Sequence, residues 1–306
     1  MDSNDSVPGS SENHYGRKAS VNKKHTSYSP GSRAQKSPKD KTSVHRYTPQ
    51  MPPLLFQVVL VGSIKTTQSR EIIGGHEAKP HSRPYMAFIE FLYTTFRKPC
   101  GGFLIHEKFV LTAAHCFKRN PESQIIEILV VLGAHNITKQ EKTQQYIRVQ
   151  KCIPHPQFNL ETLTNDIMLL QLKGKAMLTE AVQILQLPSR KSQVLPGTMC
   201  QVAGWGMMDQ NKKLASTLQE VEMTVQDDKE CEIRYPNYNS ATQMCAGDPK
   251  IQKTSFLCDS GGPFLCNNVV HAIDCSGSSD GKPPSIYTKL SPYLDWIEKT
   301  IKHLLL

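Results

Sequence analysis

Residues 256–266 read Phe-Leu-Cys-Asp-Ser-Gly-Gly-Pro-Phe-Leu-Cys, a polar turn framed by apolar residues. Serines on glycine-rich turns are common, but the whole string Asp259-Ser260-Gly261-Gly262-Pro263 is not. Ser260 is therefore a candidate nucleophile. Cys258 stands just before the string. A nucleophilic serine needs a base to take its proton and a third group to orient that base. Leu111-Thr112-Ala113-Ala114-His115-Cys116 contains an imidazole that, by itself, reads as a core histidine. Asn165-Asp166-Ile167-Met168-Leu169-Leu170 opens an apolar run with a carboxylate. Such a carboxylate is costly to bury without partners, and a solvated strand-start aspartate is the plainer alternative.

Around these stretches, short apolar or alternating runs recur with turn residues between them: residues 85–89, 102–105, 125–132, 166–172, 201–204 and 269–273. That rhythm predicts an all-β sandwich or barrel. Only the C-terminus reads as helix, with Ser291 as N-cap, Pro292 at the first helical position, and Tyr293, Trp296, Ile297, Ile301 and Leu304 on one stripe. The stripe fits packing on the protein's own barrel better than a partner surface.

The N-terminal part differs in composition. Residues 1–50 contain no Leu, Ile, Phe or Trp and carry nine basic against four acidic residues. Such a segment cannot bury enough apolar surface to offset its ordering entropy, and it reads as a disordered polar leader. Its bases are scattered without aromatic interleaving, so no nucleic-acid arm is expected. Residues 51–71 read as a signal-like apolar segment, 51–63, followed by a propeptide; that run is too short for a membrane span of about 20 residues. A start at Met51 would make it an ordinary signal sequence, and residues 1–50 then read as an atypical start. The nine cysteines lie between Cys100 and Cys275. None is spaced as CxxC, so disulfides in an oxidising compartment are expected instead of a zinc cluster, with no metal and no cofactor. The sequon Asn136-Ile137-Thr138 agrees with secretion and makes Asn136 a candidate glycosylation site.

Taken together and in this order, His115, Asp166 and Ser260 resemble the catalytic residues of the chymotrypsin family, over a stretch from Ile72 to about His303. Ile72-Ile73-Gly74-Gly75 is similar to that family's mature N-terminus, and Cys200-Gln201-Val202-Ala203-Gly204-Trp205-Gly206 to a segment of its second barrel. Residues 76–87 and Met244-Cys245-Ala246-Gly247-Asp248-Pro249 resemble the granzyme and mast-cell chymase branch, with the B/H-type granzymes nearest.

The resemblance implies two six-stranded antiparallel Greek-key β-barrels with a C-terminal α-helix, occupying 72–306, and a cleft between the barrels. It implies disulfides Cys100–Cys116, Cys200–Cys266 and Cys231–Cys245, leaving Cys152, Cys258 and Cys275 over. It also implies a zymogen: the amino group freed at Ile72 pairs with Asp259 and orders an oxyanion hole made by the N–H groups of Cys258 and Ser260. Arg70-Glu71 precedes Ile72, so trimming of an acidic dipeptide by an activating peptidase is expected, although the pair is not the usual one. Cys275-Ser276-Gly277 corresponds to the segment along which substrate pairs. Cys275 stands where a hydroxyl supports the buried Asp, and it is a second candidate for alkylation beside Cys258. Thr254, Gly277 and Ser285 correspond to the primary pocket; none is charged, which implies a preference for aromatic or large aliphatic residues. The expected activity is that of a secreted or granule-stored serine endopeptidase acting on peptides and proteins. The alternative is a protease-fold homologue, impaired by Cys258 and Cys275, that acts as a binding or antimicrobial protein.

Overall fold

A computed structural model describes residues 75–117, 123–206, 215–251, 260–276 and 282–306, with the side chain of Ser276 left out. The leader 1–50 and the signal-like segment and propeptide 51–71 lie outside the described residues. So do Ile72, Thr254, Cys258, Asp259 and Gly277.

The described residues begin with the short strand β1 (His76–Glu77) and then wind a closed six-stranded antiparallel barrel. Its strands are β2 (Met86–Tyr93), β3 (Arg97–His106), β4 (Phe109–Thr112), β5 (Ile125–Leu132), β6 (Gln145–Pro154) and β7 (Met168–Leu172), in the order β2-β3-β4-β7-β6-β5. β2 shows why: its sequence MAFIEFLY places Ala87, Ile89, Phe91 and Tyr93 inside, with the intervening residues half-buried, the period-two pattern of a strand with one face in the core. β4 and β7 read FVLT and MLLQL and are buried throughout, since their outer faces are covered as well. Gly102 lets β3 pass close to its neighbours, because a Cβ there would lie 2.9 Å from the Leu111 carbonyl.

The second half forms β8 (Met199–Gly204), β9 (Gln219–Thr224), helix α1 (Asp228–Arg234), β10 (Gln243–Ala246), β11 (Pro263–Cys266), β12 (Val269–Ser276) and β13 (Ser285–Lys289). These strands make one antiparallel sheet, extended by β1 on β9. Its far edge returns toward β9 through a single bridge between Val225 and Ala246, so the six strands β8–β13 curl on themselves around Val202, Val221, Phe264 and Tyr287. Trp205 packs with Met86, Val131 and Leu218 between the two halves, and its indole N–H donates to the His135 carbonyl at 3.0 Å.

The terminal helix starts later than the sequence suggests. Ser291–Tyr293 is a 3-10 turn, α2 runs Leu294–Leu305, and Ser291 makes no side-chain cap. The apolar stripe packs on the protein itself: Ile297 is fully buried in the core of the first barrel, with Trp296, Ile301 and Leu304 against it. Tyr293 and Trp296 clasp the ring of His155 edge-on. A helix that follows the second half thus ties the first half to it.

Candidate active site

His115 sits in a 3-10 turn, Ala114–Cys116, that follows β4. Ala114 and Cys116 point into the core, which leaves His115 as the half-buried member of the turn. A disulfide joins Cys116 to Cys100 on β3; closing a loop of about 15 residues is worth about 3 kcal/mol in the chain-entropy picture.

Asp166 is fully buried just before β7. Asn165, in the left-handed region at φ 54°, turns the chain so that Asp166 faces inward, a conformation that asparagine tolerates better than most residues. The Asn165 side chain is fixed on both sides, accepting from Tyr293 Oη at 2.9 Å and donating to the Gln157 carbonyl at 2.9 Å. The Asp166 carboxylate receives the His115 backbone N–H on Oδ1 at 2.8 Å and the His115 ring at Nδ1 on Oδ2 at 2.6 Å. A carboxylate only accepts, so in the neutral imidazole the proton sits on Nδ1 and Nε2 carries the lone pair. The carbonyl of His115 accepts from Lys98 Nζ at 2.9 Å.

A third donor comes from the second half. Cys275 Sγ donates to Asp166 Oδ2 at 3.0 Å. Between Asp274 and Ser276 the register of β12 on β13 shifts, so Cys275 is the extra residue of a β-bulge. Bulges re-aim a side chain, and this one sends the thiol inward. The thiol thus stands against Asp166, where a supporting side chain was expected. One expectation for Cys275 is corrected: it is a poor target for alkylation, since it is 1 % exposed and its thiol is pushed well up, first by burial and then by the neighbouring Asp166 charge. Cys152 is half-buried, its thiol pushed up to about 12 by burial.

Ser260 is half-buried at the start of a turn pinned to both halves. Its carbonyl accepts from the Gly101 N–H at 2.9 Å, and Gly261 N–H donates to the Asp274 carbonyl at 2.7 Å. Gly261 has φ 92°, and a Cβ there would lie 2.1 Å from Thr112 Oγ1 and 2.4 Å from the Gly101 carbonyl. Thr112 Oγ1 in turn donates to that carbonyl at 2.7 Å. Cys116 Sγ lies 3.7 Å from the Ser260 carbonyl, which brings Ser260 beside the turn that carries His115. Gly101, Thr112 and Lys98 were not singled out from the sequence; their roles depend on contacts between strands far apart in the chain.

Ser285 is fully buried on β13, paired with Ala246, while Thr254 and Gly277, the other residues assigned to the pocket, lie outside the described residues. The remaining disulfides join Cys200 to Cys266 across β8 and β11, and Cys231 on α1 to Cys245 on β10. Asn136 is only 9 % exposed, unlike a typical glycan-bearing loop residue, and its Oδ1 accepts from both Thr138 N–H and Thr138 Oγ1.

Comparison with known proteins places this arrangement. The family profile described as Trypsin matches residues 72–297. Granzyme B(G,H) of Mus musculus is 53 % identical over 250 residues, covering 81 % of this chain and 98 % of that protein. Granzyme H of Homo sapiens is 54 % identical over 237 residues, covering 77 % and 93 %. A solved structure described as "Structure of GrC" superposes with a TM-score of 0.70 at 47 % identity, over 75 % of this chain and 99 % of that one. An interlocked His-Asp pair, a serine turn pinned between two β units and identities near one half over most of the chain lead to one conclusion: the protein belongs to the trypsin family of serine endopeptidases.

Proposed function

We propose that the protein hydrolyses peptide bonds through His115, Asp166 and Ser260, in a mature chain of residues 72–306. The observation that carries this reading is the 2.6 Å contact between His115 Nδ1 and a fully buried Asp166, which leaves Nε2 as the only ring nitrogen able to take a proton. In this reading Nε2 accepts the Ser260 proton as Oγ attacks the scissile carbonyl, and returns it to the leaving amine; Asp166 holds the tautomer and stabilises the imidazolium. The N–H groups of Cys258 and Ser260 receive the oxyanion. The backbone of residues 275–277 pairs with substrate, and Thr254, Gly277 and Ser285 form a neutral pocket for aromatic or large aliphatic side chains. Removal of the segment before Ile72 frees an amine that pairs with Asp259 and orders the hole. Residues 51–63 direct the chain to the secretory route, toward secretion or granule storage, and a glycan on Asn136 would be added before the fold closes over it.

The test is labelling of protein that begins at Ile72 with a fluorophosphonate, which reacts only with an activated serine. Labelling lost in both Ser260→Ala and His115→Ala is the expected result, with peptide hydrolysis falling beyond about 10³-fold in each. An unlabelled, folded protein would hand the lead to the binding-protein reading, which Cys258 at the hole position favours.

A further inference from the structure

The centre buried between the two halves holds one more donor type than peptide hydrolysis requires. One ligand atom each of His115, Asp166 and Cys275 lies within 4.8 Å of the other two, and Asp166 Oδ2 stands 2.6 Å from His115 Nδ1 and 3.0 Å from Cys275 Sγ. They come from three separate places: the turn after β4, the turn before β7 and the bulge of β12. Imidazole nitrogen, carboxylate oxygen and thiolate sulfur are the ligand types of four-coordinate Zn²⁺. A serine in place of Cys275 would remove the soft member of the set. Bonds of about 2.0–2.3 Å require donors about 3.3–3.6 Å apart, so the N···O pair now at 2.6 Å must open by roughly 0.7 Å and the S···O pair now at 3.0 Å by roughly 0.5 Å. The ionised Asp166 and Cys275 would balance the charge of a divalent ion.

We propose that His115, Asp166 and Cys275 form an inhibitory site for a thiophilic divalent cation of the Zn²⁺ class. Inhibition rests on the reading of His115 as the base. The cation replaces the hydrogen bond between Nδ1 and Oδ2. The Nδ1 proton moves to Nε2, the thiol proton goes to solvent, and sulfur binds as thiolate; one proton is released per ion bound and no electrons are transferred. Nε2 is then an N–H donor without a lone pair, so the Ser260 proton has no acceptor. Water from the cleft fills the fourth position. Access runs past His115, whose side chain is 17 % exposed while that of Asp166 is fully buried. The ring must swing outward and return onto the ion, which makes inhibition slow to develop.

The experiment has an arm that needs no turnover. Ser260→Ala protein beginning at Ile72 is titrated with CoCl₂. A thiolate-to-cobalt charge-transfer band is expected, and it should vanish when Cys275→Ser is added. In parallel, the active protein is titrated with ZnCl₂: hydrolysis of a peptide falls, EDTA restores it, and Mg²⁺ and Ca²⁺ have no effect. Measured against its own zinc-free rate, Cys275→Ser should lose zinc sensitivity by about 100-fold or more, beyond the 10–100-fold seen for outer-shell partners, and Cys152→Ser should keep it. Cys275→Ala is run beside the serine variant, with thermal melts of both, so that misfolding of one does not decide the outcome. Absence of the band, or zinc sensitivity unchanged in both Cys275 variants, overturns the site. A band without zinc inhibition of an active protein overturns the inhibitory role alone. A band in a protein that hydrolyses nothing even without zinc overturns that role through the failure of the protease reading.

Discussion

Asp166 receives a thiol where a hydroxyl would bind it more strongly, because sulfur is a weak donor. The hydrogen bonds from the His115 backbone and ring remain, so the loss falls on how firmly the base is held and not on whether it is present. Cys275→Ser should therefore raise kcat severalfold with KM nearly unchanged, since about 1 kcal/mol of hydrogen bonding corresponds to about fivefold in rate. A change confined to KM would show that the residue acts on substrate binding instead. In the proposed oxyanion hole Cys258 would act at a different point. If its peptide must adopt a glycine-like conformation to present its N–H, the strain is about 1–3 kcal/mol, close to the cost of one lost oxyanion donor. Cys258→Gly should raise kcat/KM by up to about 10² on a peptide with an aromatic residue before the scissile bond. Alkylation should lower the activity of the parent protein and spare the glycine variant. Because Cys275 is buried with its thiol pushed up, it need not be replaced to interpret that result. No gain from Cys258→Gly would mean that the site has adapted to cysteine.

At the scale of elements, strands were more legible than their joints. All six apolar runs overlap strands, two of them starting one or two residues early, and 125–132 coincides with β5, because burial of one or both faces writes itself directly into residue type. β1, β4, β6, β9, β10, β11 and β13 were missed, as was helix α1: in β6 and β9 the polar faces of Gln145, Arg148, Gln150 and Lys151 and of Glu220 and Glu222 dilute the pattern, and most of the others are too short, at two to five residues, to show a period. The α2 start was misjudged because a Ser-Pro pair opens a 3-10 turn as readily as an α-helix. The bulge at Cys275 had no signal in the sequence, since it consists of a mismatch between two strands. His115, Asp166 and Ser260 could be read as candidate residue types, while the contacts that fix them, from Gly101, Thr112 and Tyr293, are long-range. Gly261 tests one such contact. Alanine there would meet the Gly101 carbonyl at 2.4 Å and must also hold φ 92°, so Gly261→Ala should cost about 3 kcal/mol or more and shift the urea midpoint downward. An unchanged midpoint would mean that the turn is looser than described. Ile297→Ala should cost about 2–4 kcal/mol by opening a cavity where α2 meets the first barrel, with the loss again measured by urea titration.

For the whole molecule, activation should depend on how the N-terminus is tethered. β1 fixes the chain at His76 and Glu77, which pair with Glu220 and Gln219 of β9. His135 Nε2 contacts Glu77 Oε1 at 2.8 Å, and His76 Nε2 lies 3.2 Å from Glu220 Oε1. From that anchor the four residues 72–75 reach at most about 14 Å when extended. In the proposed activation, an amine released at Ile72 would have to find Asp259 within that reach. Pairing would offset the several kcal/mol that a buried lone carboxylate costs. A chain that keeps Glu71 places an uncharged peptide nitrogen at Ile72 and brings a further carboxylate toward Asp259, so pairing is lost and repulsion gained. Protein beginning at Ile72 should react with the fluorophosphonate, and protein beginning at Glu71 should react at least about tenfold more slowly, a difference of about 1.4 kcal/mol. Acetylating the Ile72 amine should reproduce the slow form without changing the sequence, which separates the loss of charge from the added residue. Equal reactivity of the free, extended and acetylated forms would mean that the serine is activated without the Ile72 amine.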